Sequence, residues 1–373
     1  MPHLRLSLMA ALVATAALTA PALAEQAFTA PADFAGRIMI SGENRGPIYA
    51  GEAAVFSGQG FAPNQSITLR RGSTVLADVT TDDKGAFEAR YTLPAEAALG
   101  LHPIVAVTTG PDSAEVIELK VSPRLDALNA DQFEIEGVSP AKGLYQLAYG
   151  AKSHALFVTS AAGRPPVTDS KLTKLDPETL EVLAQITPAE APNDAPAKGP
   201  APQGKGVYAV YGIGADDEAG TIWVTNTRQN TVAVYSQDDL SLLKQFDAGL
   251  TAHPRDVVID AAKGRAYVAT GADGIAVFDT KAMEKIGQIE IPSALRGEEF
   301  TALGLDLVLE TNTLYASSLS SPEVARIALD DLSVEVLPAP GVKSSVGLDV
   351  DAASGTIYVT GQASDNVVAL DAK

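Results

Sequence analysis

The sequence predicts an all-β chain in two parts, a β-sandwich followed by a β-propeller of about five four-stranded units. Three observations predict it. One short phrase recurs five times, as Phe157-Val158-Thr159, Trp223-Val224-Thr225, Tyr267-Val268-Ala269-Thr270, Tyr315-Ala316-Ser317 and Tyr358-Val359-Thr360. The copies start 66, 44, 48 and 43 residues apart, and a period near 44 joining an aromatic to a Val-Thr pair is that of stacked four-stranded units. Ahead of them, residues 28–122 carry short alternating segments separated by turn residues, the pattern of a sandwich.

Residues 1–24 read as a secretory signal peptide. His3 and Arg5 make a basic start, residues 6–18 are apolar, and Ala22-Leu23-Ala24 is an A-x-A cleavage site. The run is too short for a membrane anchor, and no later stretch is apolar for long enough to span a bilayer. The expected location is therefore periplasmic or secreted, soluble after cleavage. No cysteine is present, which excludes disulfides, a thiol nucleophile, covalently attached haem and iron–sulfur clusters. The core must hold the fold unaided, and about 350 residues suffice for two domains. The formal charge is −19, and cleavage removes Arg5 but no acid. Such a surface repels nucleic acid and anionic lipid, and it also serves plain solubility.

In the first domain, residues 51–63 form a strand ending in a glycine-rich corner. Residues 66–70 are a second strand with Ile67 and Leu69 on one side. Asp82-Asp83-Lys84-Gly85 is a turn, because Asp accepts from nearby amides and Gly tolerates positive φ. Strands at 86–93, 101–108 and 114–121 complete the set. The Gly-x-Gly-Phe-x-Pro corner at 58–63 and the Asp-x-x-Gly-x-Phe turn at 82–87 resemble bacterial immunoglobulin-like domains attached to exported proteins. Residues 123–130 are a polar linker.

The repeats fill residues 131–373. In the third copy the expected strands are 256–260, 265–270, 275–279 and 286–291. The fifth copy has only three, at 346–350, 356–360 and 367–370. A unit without its outer strand leaves an open edge. Residues 132–138 alternate apolar and polar and belong to no complete unit, so they are expected to supply that strand and close the ring. The long first spacing comes from residues 187–206, whose five prolines rule out a strand ladder. That insert reads as a lid over the ligand face or as a neutral surface loop.

The stretch Thr221-Ile222-Trp223-Val224-Thr225-Asn226-Thr227, with Asn230-Thr231-Val232-Ala233-Val234-Tyr235, resembles the YVTN-type β-propeller repeat of bacterial and archaeal exported proteins. Thr356-Ile357-Tyr358-Val359-Thr360 with Asp365-Asn366-Val367-Val368-Ala369-Leu370 does so too. The fourth copy departs from it, with Ala316-Ser317 in place of Val-Thr. Many members of that family have seven units where this chain shows five copies. The resemblance implies a periplasmic or extracellular binding scaffold and no single activity.

Aligning the copies by their aromatics places candidate residues. Asp306 and Asp349 fall at equivalent inner-strand positions in neighbouring units, and Asp256 lies on the matching face of the third. Three carboxylates near a channel suit Ca²⁺ or another divalent ion, and with it a lactonase-like hydrolase. The alternative is that each accepts hydrogen bonds from amides or channel water. A second group is cationic. His253 and Arg255 enter the third unit, Arg228 follows Trp223-Val224-Thr225, and Arg164 holds the matching loop of the first unit. These loops share one propeller face. Arginine binds carboxylate or phosphate bidentately, and Tyr145 and Tyr211, in register with Arg255, add stacking surface. Here the alternative is pairing with neighbouring carboxylates, as of Arg255 with Asp256.

No nucleophile elbow, zinc-protease motif, phosphate loop or dinucleotide fingerprint is present. The leading expectation is an exported, non-catalytic scaffold that binds a small anion or a protein segment on its loop face. The others are the metal-dependent hydrolase and an assembly partner of a cell-envelope complex.

Overall fold

The computed structural model describes residues 32–125, 128–192 and 205–371. The expected signal peptide lies outside the described residues, as does most of the proline-rich insert. Contacts divide the chain into two compact units, Met1–Arg124 and Leu125–Lys373. Apart from short 3-10 turns, every regular element described is a strand.

The first unit holds β1 (Arg37–Ser41), β2 (Ala53–Gln59), β3 (Ser66–Arg71), β4 (Thr74–Thr80), β5 (Phe87–Thr92), β6 (Gly100–Thr109) and β7 (Ser113–Val121). They form two antiparallel sheets, ordered β1-β2-β5 and β4-β3-β6-β7. Alternate residues of both sheets, among them Phe56, Leu69, Ile104 and Leu119, meet in one core. The sequence reading overlooked β1 and β4. Both are edge strands with few buried positions, so their alternation is faint.

The second unit holds five sheets in chain order. The first contains β8 (Leu144–Gly150), β9 (Ala155–Ala162), β10 (Asp169–Leu175) and β11 (Val182–Ile186). The second has β12 (Val210–Asp216), β13 (Thr221–Asn226), β14 (Thr231–Ser236) and β15 (Leu242–Gln245). The third has β16 (Val257–Asp260), β17 (Arg265–Ala269), β18 (Ile275–Asp279) and β19 (Glu284–Ile289). The fourth has β20 (Ala302–Val308), β21 (Thr313–Ser318), β22 (Glu323–Ala328) and β23 (Ser333–Pro338). The fifth has β24 (Leu348–Asp351), β25 (Thr356–Gly361) and β26 (Asn366–Asp371). Each is an antiparallel meander, and the first strand of each lies beside the first strand of the next. This is β-propeller architecture.

The aromatic of each phrase packs between sheets. Phe157 meets Ile213, Ile222 and Val224 of the second sheet, and Trp223 meets Val257, Ala266 and Val268 of the third. Tyr267 meets Leu305, Leu314 and Ala316, and Tyr315 meets Ile357 and Val359. Period-2 alternation around each aromatic thus supplies one face to its own sheet's neighbour and the other to the sheet before.

Among the described residues, the two end sheets pack against a neighbouring sheet on one side and are uncovered on the other. Tyr358, the fifth aromatic, is 44% exposed where its four equivalents are buried. Leu147 of β8 is 61% exposed where Ile213, Val257 and Leu305 are buried. The expected ring-closing strand is not there. Ala130–Gln132 is a 3-10 turn, residues 133–139 form no strand, and Phe133 and Ile135 are exposed. Just beyond this segment, the Pro140 carbonyl accepts from Gln185 Nε2 at 3.1 Å, which ties the chain to the outer strand of the first sheet.

The base of the insert is pinned. Tyr208 N donates to the Ala189 carbonyl at 3.0 Å and Ala191 N to that of Gly206 at 2.9 Å.

Phe278 packs on Trp223 and Phe246 with ring centroids 5.6 and 5.2 Å away. Phe278→Ala is expected to cost about 3–5 kcal/mol. Denaturant unfolding followed by Trp223 emission reads this directly, because Trp223 is the single tryptophan.

Candidate functional site

The hydroxyl of the repeated phrase sets the site. Thr225 Oγ1 accepts from Gly212 N in its own sheet at 2.8 Å and donates to the Arg255 carbonyl of the next sheet at 2.7 Å. Thr159 does the same one sheet earlier, accepting from Gln146 N and donating to the Tyr211 carbonyl. Two threonines of the motif therefore hold the backbone of two candidate residues. The approach is close: a Cβ added at Gly212 would sit 1.7 Å from the Arg255 carbonyl oxygen, so only glycine fits there.

Five of the six expected cationic-face residues come together. Arg255 Nη1 donates to Tyr145 Oη at 3.0 Å, and Arg255 Nη2 lies 2.9 Å from His253 Nε2. Arg228 Nε donates to Tyr211 Oη at 3.3 Å. The two tyrosine rings meet edge to face at 5.0 Å. Tyr211 is buried, Arg255 half-buried, and Arg228, His253 and Tyr145 are exposed. Arg255 Nε is buried without a partner. Arg164 is exposed between β9 and β10, and no hydrogen bond or ion pair joins it to the cluster.

Neither Arg228 nor Arg255 forms an ion pair with a carboxylate among the described residues. The sequence alternative of an Arg255–Asp256 pair is not met, because Asp256 turns inward. Its Oδ1 accepts from Gln146 Nε2 at 2.6 Å and Val257 N at 2.9 Å, and its Oδ2 from Leu305 N of the fourth sheet at 2.9 Å. Burial pushes the Asp256 carboxyl above the usual carboxylate range against the pull of these donors, and the Asp306 charge adds to the rise.

The backbone of His253 is in the left-handed region, φ 43°, with its amide donating to Asn230 Oδ1 at 2.9 Å. A non-glycine residue held there is strained, and such strain gathers at ligand-binding positions. Partial burial, then the Arg255 and Arg228 charges, hold the His253 imidazole below its usual pKa.

The expected metal trio does not gather. Asp306 Oδ1 accepts from Leu307 N at 2.8 Å and Oδ2 from Val350 N of the fifth sheet at 2.8 Å. Burial, with the Asp349 charge, raises the Asp306 carboxyl as well. The carboxylates of Asp256 and Asp306 thus bridge sheets, with their lone pairs aimed at amides. Among the described residues, no group of three or more His, Asp or Glu is placed to hold a metal ion. Asp349 is exposed.

Cavities of 490, 230 and 560 Å³ lie elsewhere, and neither the cationic cluster nor Asp256, Asp306 or Asp349 lines them. Sequence reasoning missed Thr225, Gly212 and Gln146, which position the cluster. The threonine was in view as part of the repeat, but its second partner lies thirty residues on, in another sheet.

No family model and no curated protein matches this sequence. Among solved structures, the chain is similar to hydrazine synthase of Kuenenia stuttgartiensis, at 16% identity over 61% of this chain and 58% of that one, TM-score 0.45. It is similar to a chain of the nidogen/laminin complex at 12% identity over 82% and 89%, TM-score 0.44. It is also similar to the β-propeller domain of Myceliophteria thermophila Cps50 (Swd1) at 9% identity over 60% and 65%, TM-score 0.43. It spans less than two thirds of the first and third of these.

Thr225→Val keeps the shape but leaves Gly212 N and the Arg255 carbonyl unpaired. It is expected to cost about 1–3 kcal/mol in denaturant unfolding. A second expectation concerns pH. Because native His253 takes its proton less readily than the unfolded chain, its contribution is fully present above about pH 6.5 and is lost as pH falls below that, through the lower native pKa. Without added anion, His253→Gln should lose less thermal stability than the wild type between about pH 7.5 and about pH 5.5.

Proposed function

We propose that this protein is an exported, non-catalytic binding scaffold of the YVTN-repeat type. Its propeller loop face takes a small oxyanion, or the same anionic group at the end of a protein segment. The reading rests on one observation. Two guanidiniums, Arg228 and Arg255, donate only to neutral partners in a chain of formal charge −19. Carboxylates are abundant here, yet none among the described residues forms an ion pair with either. A guanidinium engaged by tyrosine hydroxyls keeps donors for a stronger acceptor, and charge-assisted bonds to an oxyanion are that acceptor's advantage. Tyr145 and Tyr211 would form the wall of the site. The first unit, with its seven strands in two packed sheets, is read as an immunoglobulin-like spacer or docking domain.

The hydrolase reading has less support, since Asp256 and Asp306 spend their oxygens on backbone amides. A role as assembly partner draws on the uncovered faces around Leu147 and Tyr358, which are apolar surfaces of the kind that partners cover.

Arg255→Ala tests the anion site. Sulfate and phosphate are expected to bind the wild type in calorimetric titration, and the variant is expected to bind them about tenfold to a hundredfold more weakly, the loss of one charge-assisted bond. Arg228→Ala should weaken binding in the same direction. Equal binding by wild type and Arg255→Ala would exclude this site.

A further inference from the structure

Resting on that anion-binding reading, we propose that His253 is the third ligand-binding group of the cluster. It becomes one by taking up a proton as a divalent oxyanion displaces it from Arg255. The starting point is the direction of one hydrogen bond. A guanidinium donates and has no acceptor. In the 2.9 Å contact between Arg255 Nη2 and His253 Nε2, the imidazole nitrogen is therefore the acceptor. The ring is neutral, with its proton on Nδ1, and the lone pair that a second proton would use is occupied by Arg255.

Among the described residues, nothing anionic relieves this arrangement. The charged groups acting on the ring are Arg255 from its own loop and Arg228 from the turn after β13. Through those guanidiniums, Tyr145 of β8 and Tyr211 of β12 complete the surroundings. Asn230 holds the His253 amide, and Asp256, close in sequence, faces Gln146 and Leu305 instead.

An arriving oxyanion reverses each of these conditions. It accepts from Arg255 Nη2 and so frees His253 Nε2. Its charge offsets the two guanidiniums that disfavour imidazolium. The freed nitrogen takes one proton from solvent and donates it, as N–H, to the same anion. No other bond is made or broken. Two guanidiniums and an imidazolium suit a divalent anion, whereas a monovalent one leaves the imidazolium facing an excess of positive charge. The ligand class is thus a divalent oxyanion such as sulfate or a phosphate monoester. The strained His253 backbone, fixed by Asn230, already presents the ring on the cluster.

Sulfate is the probe, because it stays divalent across the working range. The full-length protein is titrated calorimetrically from about pH 8 to about pH 5.5, in buffers of different ionisation enthalpy. Wild-type affinity is expected to rise as pH falls, by up to about tenfold per pH unit, with up to about one proton taken up per sulfate bound. His253→Gln retains a neutral acceptor for Arg255. With no proton to take up, its sulfate affinity should not rise as pH falls. Nitrate should bind more weakly than sulfate. If wild-type binding is independent of pH, or if His253→Gln keeps the wild-type slope, the role of His253 is overturned while the anion site stands. Nitrate binding as tightly as sulfate overturns the divalent class. Absence of sulfate binding to the wild type at every pH overturns both this proposal and the site itself.

Discussion

The second unit depends on a hydroxyl that bonds in two directions. In Phe157-Val158-Thr159 and Trp223-Val224-Thr225 the aromatic fills the space between sheets, and the threonine links the inner strand of its own sheet to that of the next. The link needs a donor and an acceptor on one short side chain, which is why the motif carries Thr rather than a third apolar residue. The third copy has Ala269 at this position and cannot make it. There Asp256, from the inner strand, accepts Leu305 N of the fourth sheet, and Asp306 repeats the device toward Val350. Asp256 thus bridges sheets where the motif hydroxyl is missing, and Asp306 does so where Ser317 Oγ is buried without a partner.

Much of the acidic surplus has a comparable local duty. Asp176, Asp279 and Asp331 close the turn between third and fourth strands by accepting amides two or three residues on. Asp216, Asp260 and Asp351 do so at the end of inner strands. Such bonds hold several of these carboxyls below their usual range. A carboxylate fixed at its own turn pairs with a cation beside it, as Asp279 does with Arg265 at 2.8 Å, and none of these six pairs with Arg228 or Arg255.

The sequence showed the sheets, their order and their register, because the phrase repeats at a fixed distance from each inner strand. Pairings such as Asp216 with Thr221, Asp260 with Arg265 and Asp351 with Thr356 fall at equivalent places. The cationic residues were also legible, since register alone puts Tyr145, Tyr211 and Arg255 at one level. Alternation, by contrast, says which face a strand would bury and nothing about whether a partner is present. That is why residues 132–138 read as a strand and are none. Charge in the sequence was equally silent on direction. Arg255 and Asp256 are neighbours whose side chains leave the strand on opposite faces, as period-2 geometry requires. Arg164 shares a loop position with Arg228 but lies apart from the cluster.

The same geometry bears on binding against catalysis. Catalysis needs a nucleophile or a base within reach of the reacting atom. The cluster offers two guanidiniums, two phenols whose oxygens accept from them, and an imidazole whose Nε2 lone pair is engaged. Its stored costs are an Arg255 Nε buried without a partner and a left-handed His253. In the proposed site an anion uses the ring that the second has already aimed. The residues that are held most tightly, through Thr159 and Thr225, are those whose backbone carries the donors. Rigid support for Arg255 and Tyr211 through Thr225 and Thr159 is what the proposed anion site rests on.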